Sequence, residues 1–401
     1  MNFFSGLKNM EGKRLIKKIR LRNILSFGER RSGDSIQSKE HTKEHSKLFR
    51  LPLDLGEIVE LEPLNIIIGQ NASGKSNLVD VIKLLRSLPE DKGLVNFISR
   101  NGGISEWIWK GKKDKPIAEI EVCIIWLFVQ TIYKIKFLET IQRLGISEET
   151  ISEKNKVINR SEITKAEDSM LSVNEPDYRG ASYTTIRNAF HQPIIYSDLQ
   201  TNRKNEIRKP QPSDARNDFL AEDGSNLALV LNDLEHRGDT KDKIIENLKK
   251  FYPRVKDYSV RVLGGTVQLF VREKGLEKPI SAIRLSDGTL RYLCLLAILC
   301  HPEPPPLICI EEPEVGLHPD ILPTIAELMI EASQRTQLIV TTHSDILVSA
   351  FSDVPEAVLV CEKDEEGTHF KRLDKENLKE WLNEYSLGEL WLKGEIGGTR
   401  W

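Results

Sequence analysis

The chain has 401 residues, of which 39% are hydrophobic and 29% charged. That balance suits a soluble chain of one large or two modest globular domains and excludes a largely disordered one. The formal net charge of −3 hides an asymmetry: residues 1–50 hold 13 Lys and Arg against 5 Asp and Glu, net +8, and the other 351 residues carry −11.

The N-terminus, MNFFSGLKNMEGKRLIKK, has no apolar stretch behind its basic residues, so no secretory signal is expected. Residues 13–27 read as a strand, with Ile16, Ile19, Leu21 and Ile24 giving partial alternation. The basic character of this segment favours nucleic acid or another acidic partner, or else a solvated edge. Residues 29–47 read as a polar loop. Within it His41 and His45 stand four apart, but no Cys or carboxylate framework supports a metal pair. Strand character returns over Glu57–Glu62 and Leu64–Ile68, the second a continuous apolar run that suits burial on both faces. A helix follows from Lys75 to Leu88, with Leu78, Val79, Ile82 and Leu85 on one side and Pro89 as its stop.

Residues 117–138 read as a hairpin rich in Ile, Val, Phe and Trp. The apolar run Ile117–Val129 is broken by Glu119 and Glu121, and Leu293–Cys300 is short. Neither approaches the roughly 20 apolar residues of a membrane span. Residues 141–189, rich in Ser, Glu, Lys and Asn, read as an insertion, part helical and part mobile. Residues 222–250 read as two amphipathic helices joined by His236-Arg237-Gly238-Asp239, and 257–283 as strands. Over 285–360 helix and strand alternate, which implies a parallel sheet covered by helices. The five cysteines are scattered with no CxxC pair, and read as buried free thiols in a reducing, cytoplasmic compartment. No repeat or sustained heptad array appears, so no long coiled-coil arm is expected. The expected divisions are 1–140 with the phosphate loop, 141–256 as an insertion or helical subdomain, 257–370 with the later motifs, and 371–401 as a Trp- and Gly-rich tail.

Four motifs carry chemistry. Gly69-Gln70-Asn71-Ala72-Ser73-Gly74-Lys75-Ser76 matches GxxxxGK[ST], between an apolar strand and an amphipathic helix. Its backbone N–H groups would wrap a phosphate, aided by the helix N-terminus. Lys75 would reach the β- and γ-phosphates of ATP and Ser76 would ligate Mg2+. In Leu307-Ile308-Cys309-Ile310-Glu311-Glu312-Pro313-Glu314 an apolar strand runs into two carboxylates. Adjacent carboxylates gain nothing structurally unless a cation is near. Glu311 would hold Mg2+ through water, and Glu312 would orient and polarise the attacking water. His343, in Thr341-Thr342-His343-Ser344, follows an apolar strand and would reach the γ-phosphate. In Leu285-Ser286-Asp287-Gly288-Thr289, Ser286, Gly288 and a helix N-terminus make an anion site. Ser286 or Asp287 acting only as an N-cap is the plainer reading.

In chain order, the P-loop, LSDGT, EEPEVGLHP and TTHSD resemble the ABC-type ATPases of the SMC, RecF and OLD (overcoming lysogenization defect) group. The opening Ile19-Arg20-Leu21-Arg22-Asn23-Ile24-Leu25-Ser26-Phe27 is similar to their first strand. The resemblance covers roughly 13–138 and 190–362. It implies an α/β fold: a P-loop NTPase, ABC ATPase head with a mixed sheet lobe, a parallel core sheet and a helical insertion. It also implies a homodimer, or a higher homo-oligomer, with two heads sandwiching two ATP molecules. Ser286 of one subunit would then meet the γ-phosphate held by the other, and Asp320 would lie near the seam. LSDGT in place of LSGGQ points away from transporter subunits, and no NKxD motif supports a GTPase. A Q-loop glutamine is not assigned. Gln130, on an apolar strand, is the candidate.

Too few residues follow the last head strand for the TOPRIM nuclease domain of full-length OLD proteins. A separate effector, such as a TOPRIM-like nuclease, is therefore implied. The tail Trp381–Trp401 resembles those of small AAA-type ATPases linked to phage defence. It would either dock a partner or fold back on its own head. The resulting expectation is an ATP-hydrolysing ATPase that dimerises around ATP and signals to that effector. Its expected setting is antiviral defence or genome surveillance on double-stranded DNA, with no membrane. The alternatives are a RecF-like repair ATPase and a slow nucleotide-dependent switch or scaffold.

Overall fold

The computed structural model describes residues 15–29, 56–111, 116–126, 129–141, 143–153, 156–160, 168–172 and 181–398. The polar loop with His41 and His45 lies outside them, as does Trp401. The central element is a six-stranded sheet in the order Gly367–Arg372, Val358–Asp364, Leu64–Gly69, Gln337–Thr341, Leu307–Glu311, Ile194–Tyr196. All its pairings are parallel except the hairpin formed by its first two strands.

Period-two alternation divides this sheet between two cores. Ile66, Ile68, Ile308, Ile310, Leu338, Val340, Val358 and Val360 join one hydrophobic cluster, with the helices Asp287–Leu299 and Leu322–Ala332. Ile67, Leu307, Cys309, Ile339, Leu359 and Cys361 join the other, with the helix Lys75–Ser87. Each fully buried Ile or Leu here stabilises the fold by roughly 1.5–3 kcal/mol. The continuous apolar run at Leu64–Gly69 is thus explained: both its faces are covered.

A second six-stranded sheet is antiparallel throughout, in the order Glu57–Glu60, Ile16–Arg22, Ala118–Trp126, Val129–Thr140, Arg143–Glu153, Lys156–Arg160. The first strand ends at Arg22, short of the expected Phe27. Asn23 (φ 53°) and Leu25 (φ 51°) are left-handed and turn the chain back, so that Ile24 pairs with Phe27.

The segment 141–189 differs from its expectation, because it opens as two strands of this sheet. Leu144, Ile146 and Ile151 face the core, while Glu148 on the other face pairs with Lys134 and Lys136. Within the described strands, Glu148 therefore belongs to a charged sheet face rather than to a loop. A helix, Ala181–His191, appears only afterwards. The expected helix pair is present as Leu227–Leu234 and Thr240–Phe251, beside the hairpin Val255–Leu263/Thr266–Glu273.

The tail folds back on its own head. Helix Leu387–Lys393 starts with a capping box between Ser386 and Glu389 and ends at left-handed Gly394. It packs on the helix Asp345–Ser349, where a Cβ at Gly388 would lie 2.1 Å from the Asp345 carbonyl. Trp391 is fully buried and donates Nε1–H to the Gly398 carbonyl at 2.5 Å, leaving Trp381 as the exposed tryptophan of the described tail. All five cysteines are buried and free. Among the described residues no helix is long and apolar enough to cross a membrane.

Candidate functional site

The strands Leu64–Gly69, Gln337–Thr341 and Leu307–Glu311 are neighbours and parallel, so their carboxyl ends open side by side. Three of the four sequence motifs begin there. The P-loop turns on two glycines. Gly69 has φ 151° and faces Cys361, whose carbonyl a Cβ would approach to 2.2 Å. Gly74 has φ 109°, and a Cβ there would collide with Thr368 and Ser26. Behind the loop, Thr368 Oγ1 donates to the Ser73 carbonyl at 2.6 Å, and Asn77 donates to Ser26 Oγ at 2.6 Å.

Lys75 is buried, and its Nζ donates to the carbonyls of Gly69 at 2.8 Å and Gln70 at 2.7 Å. Burial lowers its pKa, against the opposing pull of Cys361 and Glu312. Asn71 and Ser76 are exposed at the loop's mouth. Ser73 Oγ is buried with no hydrogen-bond partner among the described residues. No side chain caps the helix that starts at Lys75, and no acidic residue occupies its first turn. A loop with an orphan hydroxyl, an uncapped helix start and an inward lysine fits the phosphates of a nucleotide.

Glu311 ends its strand largely buried. Its Oε1 accepts from Ser197 Oγ at 2.6 Å and from Lys83 Nζ at 3.2 Å. Lys83 also reaches Asp80 at 3.1 Å. Burial disfavours the charge on Lys83, but Glu311 and Asp80 outweigh it and raise its pKa. Glu312 takes a left-handed backbone, φ 47°, with its N–H donating to the Thr341 carbonyl at 2.9 Å. That conformation costs about 1–3 kcal/mol in a non-glycine residue. It turns the two adjacent carboxylates in different directions. Glu312 Oε1 lies 3.9 Å from His343 Nε2, and its side chain is half exposed.

The signature motif lies elsewhere in the single chain. Ser286 is an N-cap, its Oγ accepting from Thr289 N at 3.0 Å, so the plainer reading of its local role holds. Gly288 packs against the turn after Glu312, where a Cβ would lie 2.9 Å from the Gly316 carbonyl. No hydrogen bond among the described residues joins Ser286 or Gly288 to residues 69–76. Asp320 is exposed on the following turn.

Several residues here were not singled out from the sequence. Asp80 and Lys83 follow Ser76 at spacings of four and seven, which place them on one helix face. Ser197 follows the short apolar run Ile194–Tyr196, a strand beside Leu307–Glu311. Gln130 pairs with Ile125 in the antiparallel sheet, and no hydrogen bond among the described residues joins its side chain to the P-loop, Glu311, Glu312 or His343. Arg208 is buried, donates to the carbonyls of Thr201, Ala282 and Leu285, and pairs with Asp287. It thereby ties the signature loop to the segment that follows Ser197. Three of the four basic residues of the first strand are paired: Lys18 with Glu60, Arg20 with Glu119 and Glu121, and Arg22 with Glu29.

A family model described as "AAA domain, putative AbiEii toxin, Type IV TA system" matches residues 64–349. No curated protein sequence matches the chain. Among solved structures, an Smc head bound to the C-winged helix domain of ScpA is similar with a TM-score of 0.57 at 16% identity, over 90% of this chain and 99% of that one. A Pyrococcus furiosus Smc head with an extended coiled coil, bound to the C-terminal domain of ScpA, gives 0.56 at 15% identity, over 92% and 99%. A Pyrococcus yayanosii Smc head with a coiled coil and joint gives 0.54 at 13%, over 92% and 99%. The matched family spans well over half of the chain and includes the P-loop, both carboxylates and His343, so the chain belongs to this AAA-domain family and has the fold of an ABC/SMC-like P-loop ATPase.

Proposed function

We propose that the chain hydrolyses ATP with Mg2+, dimerises around the nucleotide and passes the resulting change of shape to a separate effector. The observation that carries this reading is the convergence of the P-loop, Glu311, Glu312 and His343 at the ends of three neighbouring parallel strands. Lys75 and the P-loop N–H groups would hold the phosphates, with Gly69, Asn71, Ser73 and Gly74 shaping the cradle. Ser76 and Glu311 would hold Mg2+, which when bound offsets the charge on the phosphate oxygens. Glu312, half exposed and 3.9 Å from His343, would orient water and accept its proton. His343 would stabilise charge on the γ-phosphate.

No hydrogen bond among the described residues ties Ser286 or Gly288 to the P-loop of their own chain, which accords with their use by a second copy. The name of the matched family, with its type IV toxin–antitoxin system, accords with a defence setting. Two of the similar Smc heads are bound to another protein, ScpA, which accords with a partner-coupled head. Double-stranded DNA is part of the proposal on the resemblance and on the basic balance of residues 1–50, although Lys18, Arg20 and Arg22 of the first strand are paired with carboxylates. The test is steady-state ATP hydrolysis with and without duplex DNA. Turnover that is lost in Lys75→Ala and Glu312→Gln supports the ATPase reading, and its absence in the wild type overturns it. Stimulation by DNA supports the DNA-associated setting, and indifference to DNA removes it.

A further inference from the structure

Glu314 lies two residues beyond Glu312, on the turn that leaves the active strand. Its Oε1 accepts two hydrogen bonds, one from Thr342 Oγ1 and one from the backbone N–H of His343, each at 2.8 Å. With its proton directed at Glu314, the Thr342 hydroxyl accepts from Ser344 N at 3.0 Å. Ser344 Oγ in turn accepts from Leu347 N and caps the helix Asp345–Ser349. One carboxylate oxygen therefore orders the residue before His343, His343 itself and, through Thr342, the residue after it. Hydrogen bonds to an ionised acceptor are worth roughly twice neutral ones. The same turn is closed by its own backbone, with Val315 N donating to the Glu312 carbonyl at 3.2 Å and Leu317 N to the Glu314 carbonyl at 3.1 Å.

We propose that Glu314 is a positioning residue that fixes His343 relative to Glu312. The two side chains that would face the γ-phosphate and the attacking water come from different strands. Their separation, 3.9 Å between His343 Nε2 and Glu312 Oε1, depends on what joins the two loops. The Glu312 N–H bond to the Thr341 carbonyl joins them at the strand ends. Glu314 joins them beyond the strands, where the loops carry the two functional side chains. Misplacing a reacting group by about 1 Å costs on the order of 100-fold in rate. The assignment rests on the ATPase reading for its catalytic consequence, but its structural half does not require nucleotide.

The test compares Glu314→Ala with Glu314→Gln in the full chain, using two readouts. The first is amide hydrogen exchange at His343 in protein without nucleotide. Losing a hydrogen bond to a charged acceptor raises exchange by on the order of tenfold or more. Glu314→Ala is expected to show that rise at His343 while the core strands stay protected. Glu314→Gln keeps an acceptor and is expected to stay within about threefold of wild type. The second readout is ATP hydrolysis, with kcat in Glu314→Ala falling about 10- to 100-fold, KM little changed, and Glu314→Gln recovering much of the loss. Unchanged exchange at His343 in Glu314→Ala overturns the proposal, as does a kcat loss that is equal in the two variants. A wild type without turnover overturns the ATPase reading instead and leaves the exchange result to decide the role of Glu314.

Discussion

Lys83 Nζ stands 3.2 Å from Glu311 Oε1 and 3.1 Å from Asp80 Oδ1, so the carboxylate assigned to the metal already has a tethered cation beside it. Lys83 lies in the third turn of the P-loop helix, on the face that begins with Ser76. A positive charge at that distance repels a divalent ion near the same carboxylate.

Lys83→Met is therefore expected to lower the Mg2+ concentration that half-saturates ATP hydrolysis, by roughly 2- to 10-fold, since each 1.4 kcal/mol removed is tenfold. A magnesium titration at fixed ATP reads this out. A higher half-saturating concentration would mean that Lys83 acts mainly by holding Glu311 in place.

Ser197→Ala removes the 2.6 Å hydrogen bond to Glu311 but little packing. Stability is expected to fall by about 1 kcal/mol or less, and kcat several-fold. Chemical denaturation beside steady-state kinetics separates the two effects. A stability loss with unchanged kcat would make Ser197 a structural residue only.

Lys75→Ala and Glu312→Gln are expected to fail at different steps. The lysine would supply charge to the phosphates, so its loss is expected to weaken ATP binding and with it any ATP-driven association. Glu312→Gln keeps the binding loop and is expected to accumulate as an ATP-bound dimer. Light scattering with ATP present checks both. A Glu312→Gln protein that stays at the size of its nucleotide-free form would rule out the sandwich.

Trp391→Ala is expected to cost about 3–5 kcal/mol, the range for deleting a fully buried aromatic side chain. Trp381 is 45% exposed, and its replacement by Ala is expected to change stability by less than about 0.5 kcal/mol. Thermal melts of the two variants test whether the tail is part of the fold, as its packing requires.

Burial pushes the Cys361 thiol up to about 11 and those of Cys123 and Cys300 likewise to about 11. Raised thiol pKa values leave almost no thiolate at pH 8, because the neutral form persists until the pH passes the folded value. Iodoacetamide at that pH is expected to leave the native protein unlabelled and to modify all five cysteines after unfolding. Intact mass spectrometry reads the difference. Rapid labelling of Cys361 in the native state would show that the contact behind the P-loop opens readily.

Much of the site was legible in the sequence because its motifs are contiguous. The residues of the P-loop, the carboxylate pair and the His343 loop each lie at the end of an apolar strand, and strand periodicity placed them. Ser197 and Arg208 were not legible, since their partners Glu311 and Asp287 lie 114 and 79 residues away in the chain. The strands at 143–160 escaped for another reason: few apolar positions face the core, Glu148 is held by ion pairs with Lys134 and Lys136, and the buried Glu149 accepts from Tyr133, Ser169 and the Met170 N–H. The tail's tryptophans left docking and folding back equally open in the sequence, and the capping box and the Gly388 contact seat Trp391 in the core.

The strand that leads into the P-loop pairs on one side with Gln337–Thr341 and on the other with Val358–Asp364, and Thr368 clasps the Ser73 carbonyl across 295 residues. During synthesis the phosphate loop leaves the ribosome early and waits for both neighbours. A nascent chain therefore cannot complete the surroundings of this loop until residues 337–368 have been made, and contacts this distant in sequence form slowly. Until then the apolar run Leu64–Ile68 lacks both strands that cover its edges and is exposed to association with other chains.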